Sequence, residues 1–249
     1  FLLQFAKEHF DPRQRKCLYI NANNFYFQGR GIVEFAGEFT EQGGLVLLID
    51  QAFKLPDWRN QLCECYHRYP NLRIVYTTTP VEEAEVENTE LQSLSRCYVL
   101  HGFSFREYIN LQTGNNFQTF SLHDILYDHE MIVRSILPKV QPWKYFKEYL
   151  HHGYYPFYRE SLEDFPSRLR ETVTVVIDSD LPAVENVTYE TLQKTKKLLM
   201  IISEHVPFEP TMSELWRQLS TDNESGLKML YALDKAQVLA LLTAKTNNY

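Results

Sequence analysis

Asp50 and Gln51 close the most strongly apolar run of the chain, Leu45-Val46-Leu47-Leu48-Ile49, which follows Gly43-Gly44. Five consecutive aliphatic residues predict a strand buried on both faces, as in a parallel sheet covered by helices. A carboxylate at the carboxyl end of such a strand lies where open α/β sheets bind ligands. There it can order the water shell of a divalent cation. The next position is where an acidic residue would draw a proton from attacking water, and Gln51 cannot do that at neutral pH. The plainer reading of Asp50 is a carboxylate that caps the turn leaving the strand.

Other groups with chemical potential are less well placed. Cys63-x-Cys65 is too closely spaced for a zinc half-site and has no second pair, since Cys17 and Cys97 stand alone. All four thiols read as reduced, in a cytoplasmic protein. His151-His152 lack a third ligand at helical spacing, and Asp178-x-Asp180 reads as the polar end of a helix. Tyr154, Tyr155, Phe157 and Tyr158 form an aromatic cluster better suited to packing than to stacking on a base. No signal peptide is evident, and no apolar run approaches the length that spans a bilayer.

Those side chains need a scaffold, and 249 residues with 44% hydrophobic and 23% charged content suffice for one large domain or two to three small ones. Helical spacing over Phe1 to Phe10 precedes Asp11-Pro12. Lys16 to Asn21 reads as a strand, Ile32 to Phe39 as a helix, and the Asp50 strand follows. Trp58 to Tyr69 has a 3.6-residue period, and Arg73 to Thr77 and Arg96 to Leu100 read as further strands. Strands alternating with helices at this spacing predict a parallel sheet of βαβ units. Between the last two strands, Glu82, Glu83, Glu85, Glu87 and Glu90 mark a solvated loop or helix. From Ser104 onward only helices are expected: Leu122 to Leu137, Pro142 to Leu150, Ser161 to Asp178 and Thr188 to His205. Thr211 to Leu215, a turn at Leu219 to Asp222, Ser225 to Asp234 and a strand beginning at Val238 have the order of a winged helix-turn-helix.

Several of these segments resemble one family. Leu48-Ile49-Asp50-Gln51-Ala52-Phe53-Lys54-Leu55-Pro56-Asp57-Trp58 is similar to the second nucleotide-site motif of a large group of bacterial and archaeal AAA-type ATPases. Its usual form is Leu-Ile-Asp-Glu-Val-His-Lys, followed closely by Trp. Arg73 to Thr79 resembles the sensor strand, and Leu94-Ser95-Arg96 resembles the next signature. Gly102-Phe103-Ser104-Phe105-Arg106-Glu107-Tyr108 carries the most specific likeness, and Tyr149-Leu150-x-x-Gly153-Tyr154-Tyr155-Pro156 is similar to the family's helical lid. The resemblance implies an α/β P-loop NTPase-like core that lacks its first strand and phosphate-binding loop. An all-α lid and a winged helix-turn-helix would follow it. In the family a domain resembling a restriction nuclease often comes next.

The implied domains are an incomplete nucleotide-binding core over 1–102, an all-helical lid over 103–205 and an incomplete winged-helix module over 206–249. The implied cofactors are ATP and Mg²⁺, bound between the sheet edge and the lid, with Asp50 on the Mg²⁺ through water. Gln51 occupies the base position in silenced form, Thr77 the sensor position, and Arg96 that of an arginine finger. Thr77 also reads simply as a β-former, and Arg96 as an ion-pair partner for the glutamates. Nothing in these residues matches Gly-x-x-x-x-Gly-Lys-Ser/Thr, so the β- and γ-phosphates lack their cradle. Phe53 stands for the usual His, and Thr78-Thr79-Pro80 for a Gly-Ser-Ser turn. The expected function is ATP binding by an AAA-class protein that is catalytically impaired in this chain. The alternative is a non-catalytic interaction module that keeps the AAA shape. Self-association or a protein partner is expected before DNA. Net charge is −7, and from residue 206 on Arg217, Lys228, Lys235 and Lys245 face Glu209, Glu214, Asp222, Glu224 and Asp234.

Overall fold

The computed structural model describes residues 1–27, 29–79, 89–184, 187–204 and 211–241. It is a mixed α/β chain that divides into two compact units, one of residues 1–97 with 173–249 and one of 98–172. Within the first unit, residues 173–204 pack with 211–241.

In the first unit, β1 (Cys17–Asn21), β2 (Val46–Asp50) and β3 (Arg73–Tyr76) form a parallel sheet in the order β1-β2-β3. Asn21 pairs with Asp50 and Ile49 with Tyr76, so the three strands end together. The aliphatic run makes β2 the central strand, and Val46 to Ile49 are all buried. Side chains alternate between faces along it. Leu47 and Ile49 pack with Ile32, Val33 and Ala36 of α2 (Ile32–Glu41) and with Leu62, Cys63 and Cys65 of α3 (Trp58–Arg68). Val46 and Leu48 pack with Leu2 of α1 (Leu2–His9). The chain leaves α2 through Gly43 at φ +84°, a left-handed conformation that glycine adopts without Cβ strain. Trp58 lies 5.7 Å from Tyr76 between ring centroids, seating α3 against the end of β3.

The strand expected over Arg96 to Leu100 does not form: no ladder involves these residues among those described. Tyr98, Val99 and Leu100 are exposed, so this apolar run lacks the cover a buried strand requires. The expected glutamate-rich segment lies outside the described residues up to position 88, and a short helix, α4 (Thr89–Leu94), follows.

The helical part of the first unit runs through a π-helical turn, Val176–Asp180, to α10 (Leu181–Val184), α11 (Tyr189–Ser203), α12 (Met212–Leu219) and α13 (Asn223–Lys235). Its core is Ile177, Leu198, Leu215, Trp216, Leu230 and Leu233. Lys197 donates to the Gln218 carbonyl at 2.7 Å and Lys194 to that of Ser220 at 3.1 Å, so α11 satisfies the open carbonyl end of α12. Asp222 then caps α13, accepting from the Ser225 amide at 2.9 Å. A Cβ on Gly226 would meet the Trp216 ring at 2.5 Å, so the close approach of α12 and α13 depends on a residue without one. This is a helix-turn-helix, but no strand forms through residue 241 among the described residues. Gln237 takes φ +57°, and the Val238 and Leu239 amides turn back onto the Leu233 carbonyl at 3.0 and 3.2 Å. The rest of the expected wing, residues 242–249, lies outside the described residues.

The second unit contains α5 (Phe105–Thr113), α6 (Leu122–Tyr127), α7 (His129–Ile136) and α8 (Trp143–Glu148). After α8 come a π-helical turn, Tyr149–Gly153, and the start of α9 (Phe165–Val175). Ser104 and Glu107 cap α5 reciprocally: each side chain receives a hydrogen bond from the other's backbone amide. The Ser104 hydroxyl and amide hold the Glu107 carboxyl below the usual range. Tyr108 is fully buried with Tyr158 and Phe165, and Phe103, Phe105, Tyr149, Tyr155 and Phe157 surround them. Burial, followed by the charge of Glu148, pushes the Tyr108 phenol up to about 12. Tyr149 donates to the Phe103 carbonyl at 2.8 Å, and the Phe103 amide to that of Tyr154 at 2.8 Å. The two sequence signatures of this region are thus one packed cluster, and Tyr155, Phe157 and Tyr158 serve it as packing groups.

Candidate functional site

At the carboxyl edge of the sheet the Asp50 carboxylate is held from both sides. Tyr19 on β1 donates its phenol to Oδ2 at 2.9 Å, and Thr77, just past β3, donates its hydroxyl to Oδ1 at 2.6 Å. The geometry follows from register. Tyr19 and Leu48 are Cα partners, so Tyr19 and Asp50 share a sheet face two residues apart. Thr77 extends β3 by one residue and its amide donates to the Ile49 carbonyl at 2.9 Å, which places its side chain beside Asp50. Burial raises the Tyr19 phenol above its ordinary value, and the Asp50 hydrogen bond and charge raise it further, so it remains a donor at neutral pH.

Gln51 turns the chain out of the strand. Its backbone is left-handed at φ 58° and ψ 45°, unusual for a residue with a Cβ, and its amide donates to Thr77 Oγ1 at 2.9 Å. The Ala52 amide donates to the Thr77 carbonyl at 2.9 Å, and the Ala22 amide to the Asp50 carbonyl at 2.8 Å. Tyr19, Asp50, Gln51 and Thr77 thus form one hydrogen-bonded ring system spanning the ends of all three strands. Thr78 Oγ1, next in sequence, is buried without a hydrogen-bond partner among the described residues, a state that bound water or ligand relieves.

Three of the four predicted residues, Asp50, Gln51 and Thr77, are therefore together. Arg96 is exposed, one residue past Ser95, whose hydroxyl accepts from Tyr76 at 3.2 Å. That bond ties its segment to the last residue of β3. Two participants are not evident from sequence. Tyr19 reads only as a β-former inside a strand. Lys54 follows Asp50 by one 3₁₀ turn (Ala52–Lys54). Its ammonium donates to the Ser179 carbonyl at 2.7 Å, the Ser179 hydroxyl at 2.8 Å and Asp180 Oδ1 at 2.9 Å, which uses all three protons. Both charged side chains are largely buried. Asp178, the other half of the acidic pair, bonds Lys196 at 2.7 Å.

The donor set bears on Mg²⁺. A carboxylate has about four lone-pair positions, two of which the hydroxyls use, leaving capacity to order water on a cation. Among the described residues no three His, Cys, Asp or Glu side chains converge as a cation cage. A single carboxylate beside hydroxyls fits Mg²⁺ held through water and phosphate oxygens, which is how that ion is usually bound.

These features define a parallel α/β sheet with a braced carboxylate at its carboxyl edge. Residues 1–109 match the model of a protein family described as an AAA domain. The match takes in the sheet, Asp50, Gln51, Thr77 and Arg96 and ends within α5, and it supports kinship of this part of the chain with AAA-type ATPases. No curated protein and no solved structure matches the chain. No helix among the described residues is long and apolar enough to cross a membrane.

Proposed function

We propose that the chain is a nucleotide-site protein of the AAA ATPase class with impaired catalysis. The observation that carries this reading is the braced Asp50 carboxylate at the common end of three parallel strands. Asp50 would hold Mg²⁺ through water, with Tyr19 and Thr77 fixing the orientation of its oxygens. Bound Mg²⁺ neutralises developing phosphate charge and orients the phosphates. Gln51 stands where a carboxylate would draw a proton from water; a carboxamide orients water without taking the proton. Thr77 would sense a change at Asp50, a reading supported by its link from that carboxylate to the Gln51 amide. Arg96 acts, in this reading, on the nucleotide of a neighbouring subunit.

Titration calorimetry with Mg·ATP tests this. The 249-residue chain should bind more weakly than about 1 µM, an affinity worth roughly 8 kcal/mol, because its residues contain no phosphate-binding loop. Mg²⁺ should strengthen binding, and Asp50→Asn should remove that increment. Sub-micromolar binding, or a response to Mg²⁺ that survives Asp50→Asn, would overturn the reading. In a longer chain that carries a phosphate-binding loop, with nucleotide at saturation, Gln51→Glu should raise phosphate release, and unchanged turnover would remove position 51 from the base role.

The same bracing favours a second reading, a non-catalytic interaction module, since both Asp50 oxygens already accept protein hydroxyls. Indifference of the folded chain to Mg·ATP at millimolar concentration would select it. In either reading an all-helical lid over 103–205 follows the core, and α12 and α13 belong to a winged-helix module over 206–249 in a cytoplasmic protein. Asp222 and Glu224 at the start of α13 would meet phosphates with like charge, so protein contact is favoured there over DNA.

A further inference from the structure

We propose that Tyr19 is a positioning residue that makes the Asp50 carboxylate selective for Mg²⁺ over Ca²⁺, a role that rests on the nucleotide-site reading above. The two hydroxyls on Asp50 are not equivalent. Thr77 has one proton, given to Oδ1 at 2.6 Å, and its oxygen accepts in turn from the Gln51 amide at 2.9 Å. That hydroxyl is tied to backbone. Tyr19 reaches Oδ2 at 2.9 Å from the opposite flank, since β1 and β3 lie on either side of β2. Its ring packs with Leu2 of α1 and with Val46 and Leu48 of β2, so apolar contacts hold the phenol at that oxygen. Removing the phenol oxygen alone would release Oδ2 and leave Oδ1 as it is.

What the carboxylate offers a cation follows from those bonds. Ca²⁺ takes about six to eight oxygens and accepts a carboxylate directly through one oxygen or both, whereas Mg²⁺ keeps several of its waters. A cation bonded directly to Oδ2 would share that oxygen with the phenolic proton, which weakens the bond it can form. Water in a cation's shell needs only an acceptor lone pair, and the carboxylate has about two left after its two hydroxyls. Among the described residues no three His, Cys, Asp or Glu side chains converge to complete a shell of direct ligands. Burial, followed by the Asp50 hydrogen bond and charge, raises the Tyr19 phenol, so its proton stays in place at neutral pH. Tyr19 thus favours the cation that approaches through water. Partners that orient a metal-facing carboxylate commonly change metal affinity by about 10–100-fold when removed.

Titration calorimetry of the 249-residue chain with metal-free ATP, Mg·ATP and Ca·ATP tests the assignment. The wild-type chain should gain more affinity from Mg²⁺ than from Ca²⁺. Tyr19→Phe keeps the ring and its packing, and its circular dichroism should match the wild type. The ratio of Mg·ATP to Ca·ATP affinity should fall by about tenfold in this variant, the lower end of the usual range. A general loosening of the sheet would lower both gains alike and leave the ratio where it was. Equal gains from the two cations in the wild-type chain would overturn the selectivity, whatever the variant does. A wild-type preference that Tyr19→Phe leaves unchanged, or a loss of both gains in equal proportion, would overturn the role of Tyr19 and leave the nucleotide-site reading standing. A wild-type chain that gains from neither cation would overturn that reading and this proposal together.

Discussion

Thr77 is the residue on which the site turns, because it donates to Asp50 and accepts from the Gln51 amide through one oxygen. Thr77→Val keeps the shape and removes both bonds, leaving a half-buried carboxylate oxygen and a backbone amide short of a partner. The expected cost is about 1–3 kcal/mol, read from urea unfolding, and a change below about 0.5 kcal/mol would mean that water replaces the hydroxyl. Tyr108 offers a separate test in the second unit. Its phenol is raised from 10.0 to about 12, so the folded state favours the neutral ring. That contribution is fully present below pH 10 and is lost as pH rises from 10 towards 12. Alkaline titration followed by phenolate absorbance should show Tyr108 among the late-ionising tyrosines, with Tyr19, Tyr149 and Tyr155 also raised by burial, and Tyr108→Phe should reduce the late amplitude by one tyrosine. The Asp50 end of β2 was legible in sequence, because its aliphatic run and terminal carboxylate are local. Tyr19 was not, since a phenol inside a strand reads the same whether it packs or donates, and only register brings it to Asp50, 31 positions away.

At the scale of elements, the sequence periods located α1 to α3, β1 to β3 and most of the later helices, because each has one face to bury. They misplaced a strand at 96–100, where an apolar run exists without cover. Nor did they indicate the π-helical turns at Tyr149–Gly153 and Val176–Asp180, which carry no repeat for a periodicity to detect. Gly153 marks the first of these, since a Cβ there would meet Tyr149 at 2.5 Å and Tyr108 at 2.8 Å. Gly226 plays the same part between α12 and α13. Gly226→Ala has the better helix propensity, yet should destabilise by about 1–3 kcal/mol because the Trp216 ring must move. Thermal unfolding read by Trp fluorescence would check it, and a stabilised variant would show that the two helices separate freely.

For the whole molecule, the first unit is made of two stretches with 98–172 between them, and Lys54 with Asp180 joins the two stretches across 125 intervening positions or more. Lys54→Met leaves Asp180 largely buried and unpaired, and should cost about 3 kcal/mol or more in urea unfolding. The double variant Lys54→Met with Asp180→Leu should recover most of that loss, because removing both charges also removes the unmet desolvation cost. If the double variant is as unstable as the single one, the pair is not what holds the two stretches. The pairing also orders events in time. A chain synthesised at about 5–20 residues per second has its sheet and Asp50 in solution for roughly ten seconds before residue 180 exists. Through that interval the Lys54 ammonium has none of its eventual acceptors, and the turn that follows Asp50 is anchored on the sheet side alone. The last step in completing the site's surroundings is therefore the closure of a long loop, whose entropy must be overcome before the contact contributes. A nascent chain arrested short of residue 180 should have its strands and the Ala52 amide protected from hydrogen exchange while the amides of 53–55 still exchange, so the site matures from the sheet outward.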